Sequence, residues 1–116
     1  MMWIRCGSLL MVVGVALGAF GAHGLSGRLP AESLAVYHTA VLYHLIHALG
    51  LIAIGAVGLA RPFARVDAAG WWLLIGIVLF SGSLYALSLT GIRKLGMITP
   101  IGGLALLIGW LCVLRS

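Results

Sequence analysis

Four long apolar stretches, separated by three short polar connections, set the pattern of this chain. A bilayer-crossing helix needs about 20 apolar residues. The pattern therefore predicts four spans, at about 3–22, 38–60, 68–90 and 97–115. Local punctuation supports the division. Pro30 suits the first turn of a helix, where its missing N–H goes unused, and Glu32 then lies where the helix dipole favours an anion. A helix from Pro30 to Ala60 would be ~46 Å long, too long for a ~30 Å hydrocarbon core. Pro30 to about Tyr37 is thus expected at the interface, with the true span starting near His38. Arg61-Pro62 stops the second helix. Asp67 is placed to be the N-cap of the third, and Gly91 its C-terminal stop. Thr99-Pro100 reads as an N-cap followed by a proline in the first helical position, with Leu95 to Ile98 in a separate turn.

Composition sharpens this picture. Of 116 residues, 63% are hydrophobic and 8% charged, with a mean hydropathy of +1.21. A soluble domain is roughly a quarter charged, so nearly every face must meet lipid or another apolar face. The expectation is an all-α protein: one membrane-embedded up-down four-helix bundle, 1–116, with no extramembrane domain. The net charge of +5 comes from scattered basic residues, which argues against nucleic-acid binding. Arg5 ahead of an apolar run imitates a signal peptide, but the run is longer than a usual one. Cys6 follows Trp-Ile-Arg instead of a lipobox. An uncleaved span is expected, with Cys6 and Cys112 as buried free thiols.

Four spans put both termini and the second connection on one side. That side carries Arg5, Arg61, Arg65 and Arg115, and the other carries Arg28, Arg93 and Lys94. The positive-inside rule then favours cytoplasmic termini in the cell inner membrane. Trp3, Trp71, Trp72 and Trp110 fall near the termini, as an interfacial belt would. Gly14-x-x-x-Gly18 is a close-packing motif. It serves either the monomer's own bundle or a homo-oligomer face.

The polar residues within the spans gather in one half of the membrane. His23 closes the first span. His38, Tyr43, His44 and His47 lie in the first half of the second. Ser81, Ser83, Tyr85 and Ser88 lie in the second half of the third, and Thr99 opens the fourth. With His38 at the interface, His44 lies ~9 Å and His47 ~14 Å deep. Ionisable groups at such depth face the bundle interior. These positions predict a polar pocket opening toward the first and third connections, with Arg93 and Lys94 at its rim and neutral histidines within. The fourth helix N-terminus adds unpaired N–H groups that attract an anion.

Three readings of that pocket stand side by side. The polar groups satisfy one another; or they hold a lipid headgroup or small amphiphile; or His44 and His47 bind haem or a metal, as histidines in helix bundles can. The last lacks a carboxylate, a C-x-x-C-H and a second helix with histidine at matching depth. Catalysis lacks an orienting acid beside any serine–histidine pair, and proton-coupled transport lacks an embedded carboxylate. An oligomeric channel or carrier would need water through the apolar half. The leading expectation is a non-enzymatic component, with membrane lipids as partners and no cofactor.

Four motifs in order, Gly18-Ala-Phe-Gly-Ala-His-Gly24, Tyr43-His-Leu-Ile-His-Ala-Leu49, Phe80-Ser-Gly-Ser-Leu-Tyr85 and Thr99-Pro-Ile-Gly-Gly103 with Gly109-Trp110, resemble the bacterial domain of unknown function 423 family, which has a eukaryotic relative called transmembrane protein 256. The resemblance covers nearly the whole chain. It implies a small multi-pass membrane protein of unknown biochemical function and supplies no catalytic residues.

Overall fold

The structure is a computed structural model that describes residues 1–63 and 65–116. It consists of four antiparallel helices. Helix α1 spans Met2–Phe20 and runs on into a π-helical turn, Gly21–Leu25; α2 spans Ala31–Ala60; α3 spans Val66–Thr90; a 3-10 turn, Arg93–Met97, leads into α4, Thr99–Leu114. All four runs are long and apolar enough to cross a membrane. The expected spans agree with these elements to within a few residues at most ends. At α2 the helix is unbroken from Ala31 to Ala60, so the expected interfacial part and the span are one continuous helix.

The helix ends follow the sequence punctuation with small shifts. Gly91 takes a left-handed conformation (φ 74°) and its N–H returns to the Leu87 carbonyl, a conformation only glycine adopts without a Cβ penalty. Pro30 sits just outside α2 as its N-cap instead of inside the first turn. Pro100 lies in the first turn of α4, but the N-cap is Ile98, one residue earlier than Thr99. Asp67 is not a cap. It lies inside the first turn of α3, behind Arg65, and accepts the Trp3 indole N–H at 2.9 Å.

The main helix–helix interfaces are α1 on α2, α2 on α3 and α3 on α4. Glycines make these contacts close. Gly7 of α1 lies against Ala48 and Ile52 of α2, and Gly55 of α2 against Trp3 and Ile4 of α1, while Gly76, Gly102 and Gly109 lie against Leu106, Phe80 and Leu73 across α3 and α4. Gly14 and Gly18 both face α2, toward Leu45, His44 and Val41. The close-packing motif therefore serves the monomer's own bundle.

The core at the termini end is apolar: Trp3, Leu51, Ile54, Ala69, Leu73, Ile77 and Leu106 pack together. Trp3 is only 4% exposed, with its ring across Gly70 and edge-on to Trp71. It belongs to this core and not to an interfacial belt. Trp110 likewise reaches back over Gly50, because helical side chains tilt toward the N-terminus. Cys6 and Cys112 are free and half-buried.

Candidate functional site

The polar residues of the spans do gather in the half next to the first and third connections, but α2 and α3 divide them between two sides. On the α1 side, His44 is clamped. One ring nitrogen, Nε2, lies 2.8 Å from the Leu10 carbonyl of α1, and Nδ1 lies 2.9 Å from the Tyr85 hydroxyl of α3. A carbonyl only accepts, so Nε2 carries the proton and Tyr85 donates to Nδ1. Gly14 makes the reach possible: a Cβ there would come within 3.3 Å of His44 Nε2. Beside this pair, the fully buried Tyr37 donates its hydroxyl to the Leu17 carbonyl, and its ring lies edge-on to Tyr85 at 5.3 Å. The Tyr37 ring also occupies the place of a side chain at Gly21, where α1 widens into its π-helical turn.

On the α4 side lies His47, 7% exposed. Its Nδ1 donates to the Tyr43 carbonyl one turn back, at 2.8 Å. The ring stacks on Tyr43 at 5.9 Å and 8°, and Trp110 of α4 stands 5.9 Å away. Phe80 of α3 packs on Tyr43 at 4.6 Å. These residues, with Pro100, Gly103, Leu104 and Leu107, line an open groove of about 470 Å³. At the loop end a second opening of about 410 Å³ is lined by Glu32, Ser33, Val36, Leu87, Ser88, Gly91 and Arg93. Val36, Tyr43 and His47 are spaced seven and eleven residues apart, so both openings lie along one face of α2.

The remaining expected site residues are placed as follows. Ser81 donates to the Ala40 carbonyl across the α2–α3 contact at 2.9 Å. Ser83 bonds Thr99 Oγ1 at 2.6 Å, tying α3 to the start of α4. Ser88 returns its hydroxyl to the Tyr85 carbonyl. His23, His38, Arg93 and Lys94 are exposed, and Tyr43 is 39% exposed. Tyr85 and Thr99 line neither opening, so the structure does not gather His47, Tyr85 and Thr99 into one cavity. Tyr37, Phe80 and Trp110 were not singled out for the site from the sequence. Their aromatic rings on an apolar background carry no mark that separates site from core.

Among the described residues no group of three or more His, Cys, Asp or Glu is placed to hold a metal ion. His44 has both ring nitrogens engaged, so of the two buried histidines His47 alone presents a free lone pair.

Four apolar helices in up-down order, each long and apolar enough to cross a membrane, define a small multi-pass membrane protein. The chain belongs to the family described as protein of unknown function (DUF423), whose model matches residues 17–103. It is 48% identical over 112 residues to the UPF0382 membrane protein YwdK of Bacillus subtilis, covering 96% of this chain and 91% of that one. A UPF0382 membrane protein of Staphylococcus haemolyticus is 49% identical over 115 residues, 99% of this chain and 93% of its own. One from Staphylococcus aureus is 43% identical over 113 residues, 97% and 92% of the two chains. No solved structure matches.

Proposed function

We propose that this protein is a non-enzymatic component of the cell inner membrane, with both termini in the cytoplasm, that holds a small amphiphile along the α4-side face of α2. The observation that carries the reading is the succession of two openings on that face. The loop-end opening carries Glu32, Ser33, Ser88 and the cationic Arg93 and suits a polar headgroup. The deeper groove is walled by Tyr43, Phe80, Leu104, Leu107 and Trp110 and suits an apolar body. Sites for small molecules are mostly apolar with a few placed polar groups, and this arrangement fits that description.

A haem or metal site draws less support, because His44 has no nitrogen to spare and His47 has no partner ligand. A channel through the monomer draws less support, because packed apolar side chains fill the core at the termini end.

The test is native mass spectrometry of the full chain released from lipid nanodiscs. A retained amphiphile is expected. Gly103→Leu should expel it, because a side chain at Gly103 projects into the groove and meets only the Phe80 ring, at 3.6 Å. Gly82→Leu, facing open space, should retain it. No retained molecule in the wild type, or equal retention in both variants, overturns the reading.

A further inference from the structure

His47 turns an unpaired nitrogen into an otherwise apolar groove. Its Nδ1 faces the Tyr43 carbonyl at 2.8 Å, and a carbonyl has only lone pairs to offer. The proton of a neutral ring therefore sits on Nδ1. A charged imidazolium near the bilayer midplane is costly, and His47 lies near the midpoint of the 30-residue α2. The ring is thus neutral, and Nε2 is an acceptor. No described residue donates to it, although the side chain is more than nine-tenths buried and lines the groove. Among the described residues every fully enclosed side-chain nitrogen or oxygen has a partner, so Nε2 is open to the groove, and facing apolar groups there without a donor it carries a cost that an apolar residue of similar size would not.

The complement of a bare acceptor is a donor. Acyl chains have none, ester carbonyls only accept, and an ammonium group at this depth carries the cost of a charge. A hydroxyl on an apolar skeleton meets the requirement. The surroundings narrow the skeleton: Tyr43 and Trp110 both stand 5.9 Å from the His47 ring, and Phe80 stands 4.6 Å from Tyr43. These rings already pack on one another at the separations aromatic pairs favour, so together they present the groove with an aromatic surface on which a further flat ring packs better than a chain.

We propose that the groove receives a hydroxylated aromatic amphiphile, of the phenol or quinol class, whose O–H donates to His47 Nε2 and whose ring packs among Tyr43, Phe80 and Trp110. No bond is made or broken. The inference rests on the amphiphile-binding reading and names the ligand class for its deeper part.

The experiment uses the full chain in phosphatidylcholine nanodiscs under anaerobic conditions. Three probes are compared by calorimetry: a decyl-substituted hydroquinone, its dimethyl ether and the corresponding quinone. Only the first can donate. It is expected to bind about tenfold more tightly than either of the others, as one additional hydrogen bond supplies. His47→Leu should abolish the difference. Because that variant can also disturb packing, the wild-type protein labelled with ¹⁵N-histidine provides a second measurement: the hydroquinone should shift the Nε2 resonance of one histidine, and the ether should not. Equal affinity for hydroquinone and ether, or an unmoved resonance, overturns the inference. If a phospholipid is retained while the hydroquinone shows no preference, only the ligand class fails. If no amphiphile is retained at all, the parent reading fails with it.

Discussion

Tyr85 donates to His44 across 2.9 Å, and the direction of that bond is dictated from the far side of the imidazole, where Nε2 must give its proton to the Leu10 carbonyl. One side chain of α2 thereby ties α1 to α3. Tyr85→Phe keeps the ring and removes the donor, leaving Nδ1 without its partner in a residue 4% exposed. The expected cost is about 1–2 kcal/mol, read from reversible unfolding in mixed micelles. Unchanged stability would show that Nδ1 finds another donor.

Trp3 and Asp67 join the start of α1 to the start of α3 at 2.9 Å. Asp67→Asn keeps a carbonyl oxygen for the indole and should change stability little. Trp3→Phe should cost about 1 kcal/mol, the worth of the lost hydrogen bond. Trp3→Ala, which empties a core position, should cost about 3 kcal/mol or more. The same unfolding assay reads all three. Equal losses in the Phe and Ala variants would mean that the bond, and not the packing, holds this end together.

The glycines of α3 and α4 offer a sharper contrast. A Cβ on Gly102 would stand 2.3 Å from the Phe80 backbone nitrogen, whereas one on Gly82 meets nothing within 4 Å. Gly102→Ala must push two backbones apart and should destabilise by several kcal/mol, to the point of lost expression. Gly82→Ala should be neutral or gain up to about 1 kcal/mol from helix propensity. Thermal denaturation with fluorescence detection of monodispersity separates them, and similar melting of the two variants would contradict the α3–α4 packing.

Orientation follows from charge. Ser116 and Val113 lie with Arg61 and Pro62 around one opening, so the C-terminus and the second connection share an end of the bundle. On the proposed orientation, which follows the positive-inside rule, that end faces the cytoplasm. A fluorescent reporter that folds only in the cytoplasm should be bright after Ser116, and an exported phosphatase fused there should be inactive. The opposite pair of results would invert the protein.

What the sequence made legible and what it hid have a common physical cause. Spans and helix ends depend on residues close in the chain: Gly91 stops α3, and Pro100 opens α4 almost where local chemistry places it. The division of the polar residues depends on how each helix is rotated about its axis. His44 and His47 are three residues apart and share a broad face, yet the ~60° between them sends one toward α1 and the other toward α4. Nothing local to Tyr43-His-Leu-Ile-His fixes that rotation. It is set at a distance, by Gly14 on α1 and Trp110 on α4. Trp3 shows the same limit, since its place near a terminus suits an interfacial anchor and only the tertiary neighbour Gly70 makes it core. Asp67 has the chain position of a cap, and only the indole arriving from α1 gives its carboxylate another partner.

The interfaces join each helix to the one before it, α1 to α2, α2 to α3 and α3 to α4. A chain emerging from the ribosome begins with its N-terminus, so every helix that enters the bilayer finds its main partner already waiting there. The order of synthesis is then also the order of assembly, and no helix has to be held open for a late arrival. The groove against His47 is the exception. Its last wall, Trp110, is made after every other residue that lines it, so the pocket exists only once α4 has joined the other helices.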